Sequence, residues 1–229
     1  MTNTIECDEV AVAFGEVEAL APTTLLCRAA ESVAIMGPSG SGKTTLLRVI
    51  EGLEAPSRGS AVVLGQDQST ASRSRRADLR RRHMGLISQD ADLLPEFTTA
   101  ENVAFALLFD GVPRPRALAA ATGMLERVGL ADRARADVRT LSGGEAQRAA
   151  VARALVRPEL RLIVADEPTA SLDVDNAQAI TELLLAAAQD LGASVLLATH
   201  DPSVAAHCDR VQRLARRRAD GLVLQGAEG

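Results

Sequence analysis

Short apolar runs alternating with helix-period stretches give this 229-residue chain its pattern. Residues Thr4 to Phe14 alternate between apolar and polar positions. The run Thr23 to Ala29 follows after a turn, and both predict strands of an N-terminal antiparallel sheet. Ser32 to Gly37 is an apolar run before a glycine-rich turn, the pattern of a buried parallel strand. From Lys43 to Leu53, Leu46, Leu47 and Ile50 fall on one side of a helix that Gly52 and Pro56 end. Gly59 to Asp67 reads as a further strand. Ser72 to His83 reads as a helix carrying six arginines.

From Asp90 the pattern turns helical. Thr98 stands three residues before Glu101, a capping-box spacing that predicts a helix start. A second helix is expected over about Arg116 to Gly129 and a third from Leu141 to Val156. Strand–helix alternation then resumes. Leu160 to Pro168 is an apolar strand with acids at its end, Asn176 to Leu191 is helical, and Ala193 to Asp201 is a second apolar strand. Alternation of this kind argues for an α/β fold with a mainly parallel sheet and flanking helices. The expected organisation is one domain with three parts. They are an N-terminal antiparallel β-subdomain, a core at about 1–89 and 145–229, and an inserted α-helical subdomain at about 90–144. A short β-like run near Gly221 to Gln225 closes the chain.

Composition changes this picture little. The chain is 47% hydrophobic and 24% charged, so it can bury a core. With four Phe and no Trp or Tyr, that core must be aliphatic. Cys7, Cys27 and Cys208 have no metal or redox spacing and read as small buried hydrophobes. The first ten residues carry acids and no apolar leader. No run approaches the ~20 apolar residues of a membrane helix. Work at a membrane would therefore need a membrane partner. The arginine runs Arg73–Arg82 and Arg210–Arg218 raise nucleic acid or lipid headgroups as ligands. The net charge of −5 and the lack of accompanying aromatics argue against nucleic acid and favour a solvated face paired with acids.

Three stretches carry chemistry. Gly37-Pro38-Ser39-Gly40-Ser41-Gly42-Lys43-Thr44 fits the phosphate-loop pattern, and Lys43 is the one lysine in the chain beside twenty-four arginines. The glycines let successive N–H groups curl round phosphates, and the helix that follows adds its positive end. Lys43 would reach the β- and γ-phosphates, and Thr44 would offer a hydroxyl to Mg²⁺. Asp166, at the end of an apolar strand, can hold a water ligand of Mg²⁺. Glu167, expected to point to the other side, is a candidate general base for an attacking water. Ser142, Gly143 and Gly144 open a helix and form another anion site.

In this order and spacing, Gly37–Thr45, Leu141–Glu145 and Ala165–Pro168 resemble the ATP-binding cassette (ABC) ATPases. Gln89 matches their glutamine loop, Ser171–Asp173 their D-loop, and His200 their switch histidine. Phe14 lies where the family stacks an aromatic on adenine. The resemblance implies a P-loop NTPase core with ATP and Mg²⁺ as ligands. Two copies would face head to tail, each ATP held by one copy's phosphate loop and the other's signature. It gives phosphate binding to Ser39, Gly40, Ser41, Gly42, Lys43, Thr44 and Thr45, and Mg²⁺ to Thr44, Gln89 and Asp166. It gives water activation to Glu167, γ-phosphate contact to Gln89 and His200, and closure over the other copy's ATP to Ser142, Gly143 and Gly144. Asp173 would couple the two sites.

The stretches Ser32–Leu47, Leu93–Leu107, Leu141–Arg148 and Ala198–Val211 are similar to the subgroup of lipoprotein-release, macrolide-export and cell-division ATPases. A transmembrane permease subunit would dock near Gln89, Leu93, Leu94 and Phe97, placing the chain at the cytoplasmic face of the membrane. Ser88 replaces the subgroup's usual Phe, and Thr169-Ala170-Ser171-Leu172-Asp173 departs from its commoner form. Two roles follow: a motor for export or extrusion, or a regulatory ATPase that signals through its partner.

Overall fold

The computed structural model describes residues 3–215. The expected terminal strand near Gly221 and residues Arg216–Arg218 of the second arginine run lie outside them. The strands are β1 (Asn3–Phe14), β2 (Val17–Arg28), β3 (Ser32–Met36), β4 (Arg58–Val63), β5 (Gln66–Asp67), β6 (Met84–Ile87), β7 (Leu162–Asp166), β8 (Ser194–Thr199) and β9 (Arg210–Arg213). The helices are α1 (Lys43–Ile50), α2 (Arg73–His83), α3 (Thr99–Phe109), α4 (Arg114–Arg127), α5 (Gly143–Leu155), α6 (Val174–Asp190) and α7 (Pro202–Ala205).

The antiparallel sheet runs β2-β1-β4-β5 and the parallel sheet β6-β7-β8-β3-β9. The expected α/β architecture is therefore present. The Gly59–Asp67 stretch is not one strand. Leu64 and Gly65 take φ 50° and 81° and turn it into the β4–β5 hairpin. The second strand begins at Val17, six residues before its first predicted position, because β1 folds straight back on it from Phe14 opposite Val17. α4 starts at Arg114, with Pro115 in its first turn.

α1 lies between the two sheets. Its Leu46, Leu47, Val49 and Ile50 are buried with Ile5, Leu20 and Leu25 on one side and Val33, Ile35 and Leu196 on the other. The two-residue period of a strand divides β7 between two cores. Leu162 and Val164 point to α1. Ile163 and Ala165 point to a second aliphatic core with Val103, Leu125, Val151, Leu155 and Leu184. This packing fixes the end of β7 beside the start of α1, where the chemistry-bearing residues converge.

Candidate active site

β3 feeds the chain into the glycine-rich turn, and α1 begins at Lys43. Gly42 takes φ +97°, and a Cβ there would meet Leu20 Cδ1 at 2.8 Å and the Ala19 carbonyl at 3.0 Å. No side chain caps α1, and its first turn holds no acid. Its leading N–H groups thus have neither a partner of their own nor a repelling charge beside them, which suits an anion. Lys43 is buried; its Nζ donates to the Gly37 carbonyl at 2.8 Å and lies 3.6 Å from Glu167 Oε1.

Thr44 Oγ1 donates to Asp166 Oδ2 at 2.8 Å, joining α1 to the end of β7. Glu167 does not point away, as strand alternation had predicted. β7 ends at Asp166, and Glu167 takes φ +49°, which turns its carboxylate into the same pocket. Such a backbone is uncommon for a residue with a side chain and must be held by its surroundings. Its N–H donates to the Ala198 carbonyl at 2.9 Å. Its Oε2 accepts from His200 Nδ1–H at 2.8 Å and from the His200 backbone N–H at 3.3 Å.

These groups line a pocket of ≈ 700 Å³ with Ser39, Gly40, Ser41, Gly42, Thr45 and Gln89. The cationic Lys43, the uncapped helix end and the hydroxyls fit a polyphosphate. Among the described residues no cluster of three or more His, Cys, Asp or Glu could cage a metal. The oxygens of Thr44, Gln89 and Asp166 instead fit Mg²⁺, which takes few protein ligands beside phosphates and water. Phe14 is not on the pocket wall; it is 55% exposed at the end of the β1–β2 hairpin.

Ser142, Gly143, Gly144 and Asp173 also lie off that wall. Ser142 caps α5 and Asp173 caps α6. Asn176 stands between the two ends. Its amide donates to Asp173 Oδ2 at 2.7 Å, and its Oδ1 lies 3.3 Å from where a Cβ on Gly144 would sit. The Asn176 N–H and amide hold the Asp173 carboxyl below the usual carboxylate range.

Sequence reasoning missed the residues that hold the loop after β6. Gln147, buried on α5, donates to the Ser88 carbonyl at 3.3 Å, and Arg153 donates to the Ala91 and Asp92 carbonyls at 2.8 and 2.7 Å. Asn102, fully buried on α3, bonds the backbone of Leu94, Phe97 and Thr98. Polar residues inside apolar helical runs were the available signal.

A second groove of ≈ 500 Å³ has an apolar floor of Met84, Leu86, Phe105 and Phe109, flanked by Ser88 and the guanidinium groups of Arg80, Arg81, Arg153 and Arg157. Phe109 is 72% exposed. Leu93, Leu94 and Phe97, the expected docking residues, do not line this groove, and Gln89 lines the phosphate pocket instead. Phe97 stacks obliquely on Phe105 with ring centroids 6.0 Å apart. The sequence signal for the groove was two of the four phenylalanines one helical turn apart. In the first arginine run, Arg81 and Arg82 pair with Asp78, and Arg81 with Asp110. Among the described residues no helix is long and apolar enough to cross a membrane.

Residues 20–170 match the family model for ABC transporters. The lipoprotein-releasing system ATP-binding protein LolD of Pseudomonas fluorescens is 46% identical over 184 residues, 80% of this chain and 81% of that protein. LolD of Paramagnetospirillum magneticum is 39% identical over 210 residues, 92% of this chain and 91% of that one. Among solved structures, the dimeric post-hydrolysis state of the ATP-binding cassette MJ0796 bound to ADP and Pi is similar at TM-score 0.80 and 32% identity, covering 92% of this chain and 94% of that one. cbiO1 from Clostridium perfringens, part of the transporter complex cbiONQ, is similar at TM-score 0.86 and 26% identity, covering 98% and 88%.

Proposed function

The chain belongs to the ABC transporter family, and on that premise we propose that two copies of it share a pair of ATP sites and drive a membrane partner of the export or extrusion type. It is an ATP-binding and ATP-hydrolysing subunit. The observation that carries the two-copy reading is a division of the motifs. Lys43, Thr44, Gln89, Asp166, Glu167 and His200 share one pocket, while Ser142, Gly143, Gly144 and Asp173 lie outside it. A second copy facing the first supplies the missing half. The dimeric form of a similar cassette with ADP and Pi supports the same arrangement.

In this reading the uncapped end of α1, the loop Ser39–Gly42, Lys43 and Thr45 hold the phosphates, and Phe14 stacks on adenine. Thr44, Gln89 and Asp166 (the last through water) hold Mg²⁺, which neutralises charge on the β- and γ-phosphate oxygens when bound. Glu167 orients the attacking water and takes its proton. His200 fixes the Glu167 carboxylate through Nδ1 and contacts the γ-phosphate. Ser142, Gly143 and Gly144 close over the ATP of the other copy, and Asp173 couples the two sites. ATP thereby binds the closed dimer better than the open one, and its hydrolysis removes that difference.

The helical stretch at about 90–144 carries this motion to the groove of Met84, Phe105 and Phe109, where the membrane partner docks. The chain then sits at the cytoplasmic face of the membrane through that partner. The relatives named for lipoprotein release support a cargo of that kind. Glu167→Gln tests the core of the proposal. It should form a stable dimer with ATP and Mg²⁺ in size-exclusion chromatography and lose turnover. A variant that stays monomeric, or hydrolyses at the wild-type rate, refutes it. Purification of the wild type from membranes should retain a transmembrane partner, and Phe109→Asp should release it.

A further inference from the structure

We propose that Arg133 is a positioning residue for the shared site: it neutralises Glu145, so that the first turn of α5 can accept a phosphate from the other copy although a carboxylate stands in that turn. The inference rests on the two-copy reading above.

Glu145 is locked at the α5 end. Its Oε2 accepts from the Ser142 N–H at 2.8 Å, while its own N–H donates to Ser142 Oγ at 3.3 Å. The two bonds form a capping box. Arg133, from the single helical turn Ala131–Arg133, donates through Nε to Glu145 Oε1 at 2.9 Å. The Ser142 N–H, the Ser142 side chain and Arg133 together hold the Glu145 carboxyl below the usual range, so it is charged at neutral pH.

Two other helix starts show why this charge matters. α1, which meets phosphate in its own pocket, has no acid in its first turn. α3 has the same capping box, with Thr98 and Glu101, and Arg114 pairs with Glu101. There the chain itself closes the end: the Thr99 and Ala100 N–H groups donate to the Ala136 and Ala134 carbonyls at 3.0 and 2.9 Å. At α5 the first two helical residues are Gly143 and Gly144. A Cβ on Gly143 would meet no atom nearer than Leu172 Cδ2 at 3.8 Å. This end is open on its glycine side. A phosphate arriving there meets a fixed negative charge one residue further along. The Arg133 guanidinium, on the far oxygen of that carboxylate, cancels it without taking up the first-turn donors.

The test uses the full chain carrying Glu167→Gln, with ATP and Mg²⁺, and reads the dimer dissociation constant by sedimentation velocity. Adding Arg133→Ala should weaken the dimer about tenfold per site, the scale of one charge pair near a protein surface, and about a hundredfold over the two related sites. Glu145→Gln keeps the capping box but removes the charge. The Arg133→Ala/Glu145→Gln double variant should therefore recover to within about threefold of the parent. Melting temperatures without nucleotide should be the same for all, since the Arg133 side chain is half exposed. With Glu167 intact, Arg133→Ala should raise the protein concentration needed for half-maximal ATPase and leave the plateau in place. An unchanged dimer constant in Arg133→Ala overturns the proposal. So does a double variant as weak as the single one, which would mean that Arg133 touches the phosphate itself. If the Glu167→Gln parent fails to dimerise, the two-copy reading has failed instead.

Discussion

In the two-copy reading the starts of α1 and α5 both receive phosphate, yet they are built in opposite ways. α1 follows a left-handed Gly42, has no side-chain cap and keeps its first turn free of acids. Its surroundings provide Lys43, Thr44, Asp166, Glu167 and His200 in one pocket. α5 is capped by its own Ser142 and Glu145, and none of those pocket residues stands beside it. The α1 end is a site within one chain, with its cation and carboxylates already in contact. The α5 end is stable without a ligand, because the capping box satisfies donors that would otherwise be orphaned. A surface that meets its ligand only when a second copy arrives must be stable in the interval. A loop that lines its own pocket need not be.

The largest break in this comparison should come from Lys43→Arg. Lys43 is buried, with Nζ on the Gly37 carbonyl 2.8 Å away, and a planar guanidinium does not fit a loop wrapped round a phosphate. ATPase activity should fall by at least about a hundredfold although the charge is kept. Near-normal turnover in a coupled phosphate-release assay would show that this end does not need its compact cation.

Matched glycine substitutions sharpen the contrast. Gly42→Ala forces a Cβ into Leu20 and the Ala19 carbonyl at φ +97°, so the monomer itself should lose about 1–3 kcal/mol in urea unfolding. Gly144→Ala meets only the Asn176 side chain, its Oδ1 at 3.3 Å and its Cγ at 3.6 Å, and that side chain can shift by a few tenths of an ångström. Its monomer should unfold within about 0.5 kcal/mol of the wild type. In the Glu167→Gln background, however, its ATP-driven dimer should weaken about tenfold, for loss of one close phosphate approach. If Gly144→Ala unfolds the monomer and leaves the dimer intact, the α5 end is a structural cap and nothing more.

The α1 end was far more legible in the sequence than the elements around α5. The phosphate loop is contiguous, and the apolar run Leu162–Ala165 announced a buried strand ending at Asp166. The capping box of α3 was likewise written in adjacent residues. Glu167 was misread because alternation assumes that a strand continues, whereas a φ of +49° resets the direction of the side chain. The β4–β5 hairpin was missed for the same reason, two positive φ values at Leu64 and Gly65 inside an apolar run. The groove, the Asn102 anchor and the Arg133–Glu145 pair depend on contacts between segments that no local period links. Arg153 and Ala91, for instance, are 62 positions apart. The loop at 93–97 is held by Asn102, which bonds the backbone of Leu94 and Phe97, while α3 presents Phe105 and Phe109 to the groove.

The smallest effect concerns the other end of α1. Glu51 is its C-cap residue, and burial, with the Asp166 charge adding to it, pushes the carboxyl up from 4.5 to about 7 against the opposing pull of Arg80 and Arg48. Arg80 also donates to the Glu51 carbonyl at 3.0 Å, tying this end to the groove wall. A carboxyl with a raised folded-state value binds its proton more tightly in the native state than in the unfolded one. Its stabilising contribution is therefore complete below about 4.5 and is lost as pH rises through about 7. Glu51→Gln removes the charge that must be buried. Its advantage over the wild type in chemical denaturation should be on the order of 1 kcal/mol at pH 8 and vanish near pH 4.5, allowing for the partial exposure of the group. Lys43 and Thr44 are untouched, so nucleotide affinity at pH 8 should stay within about twofold. A pH-independent difference in stability would mean that Glu51 is charged throughout.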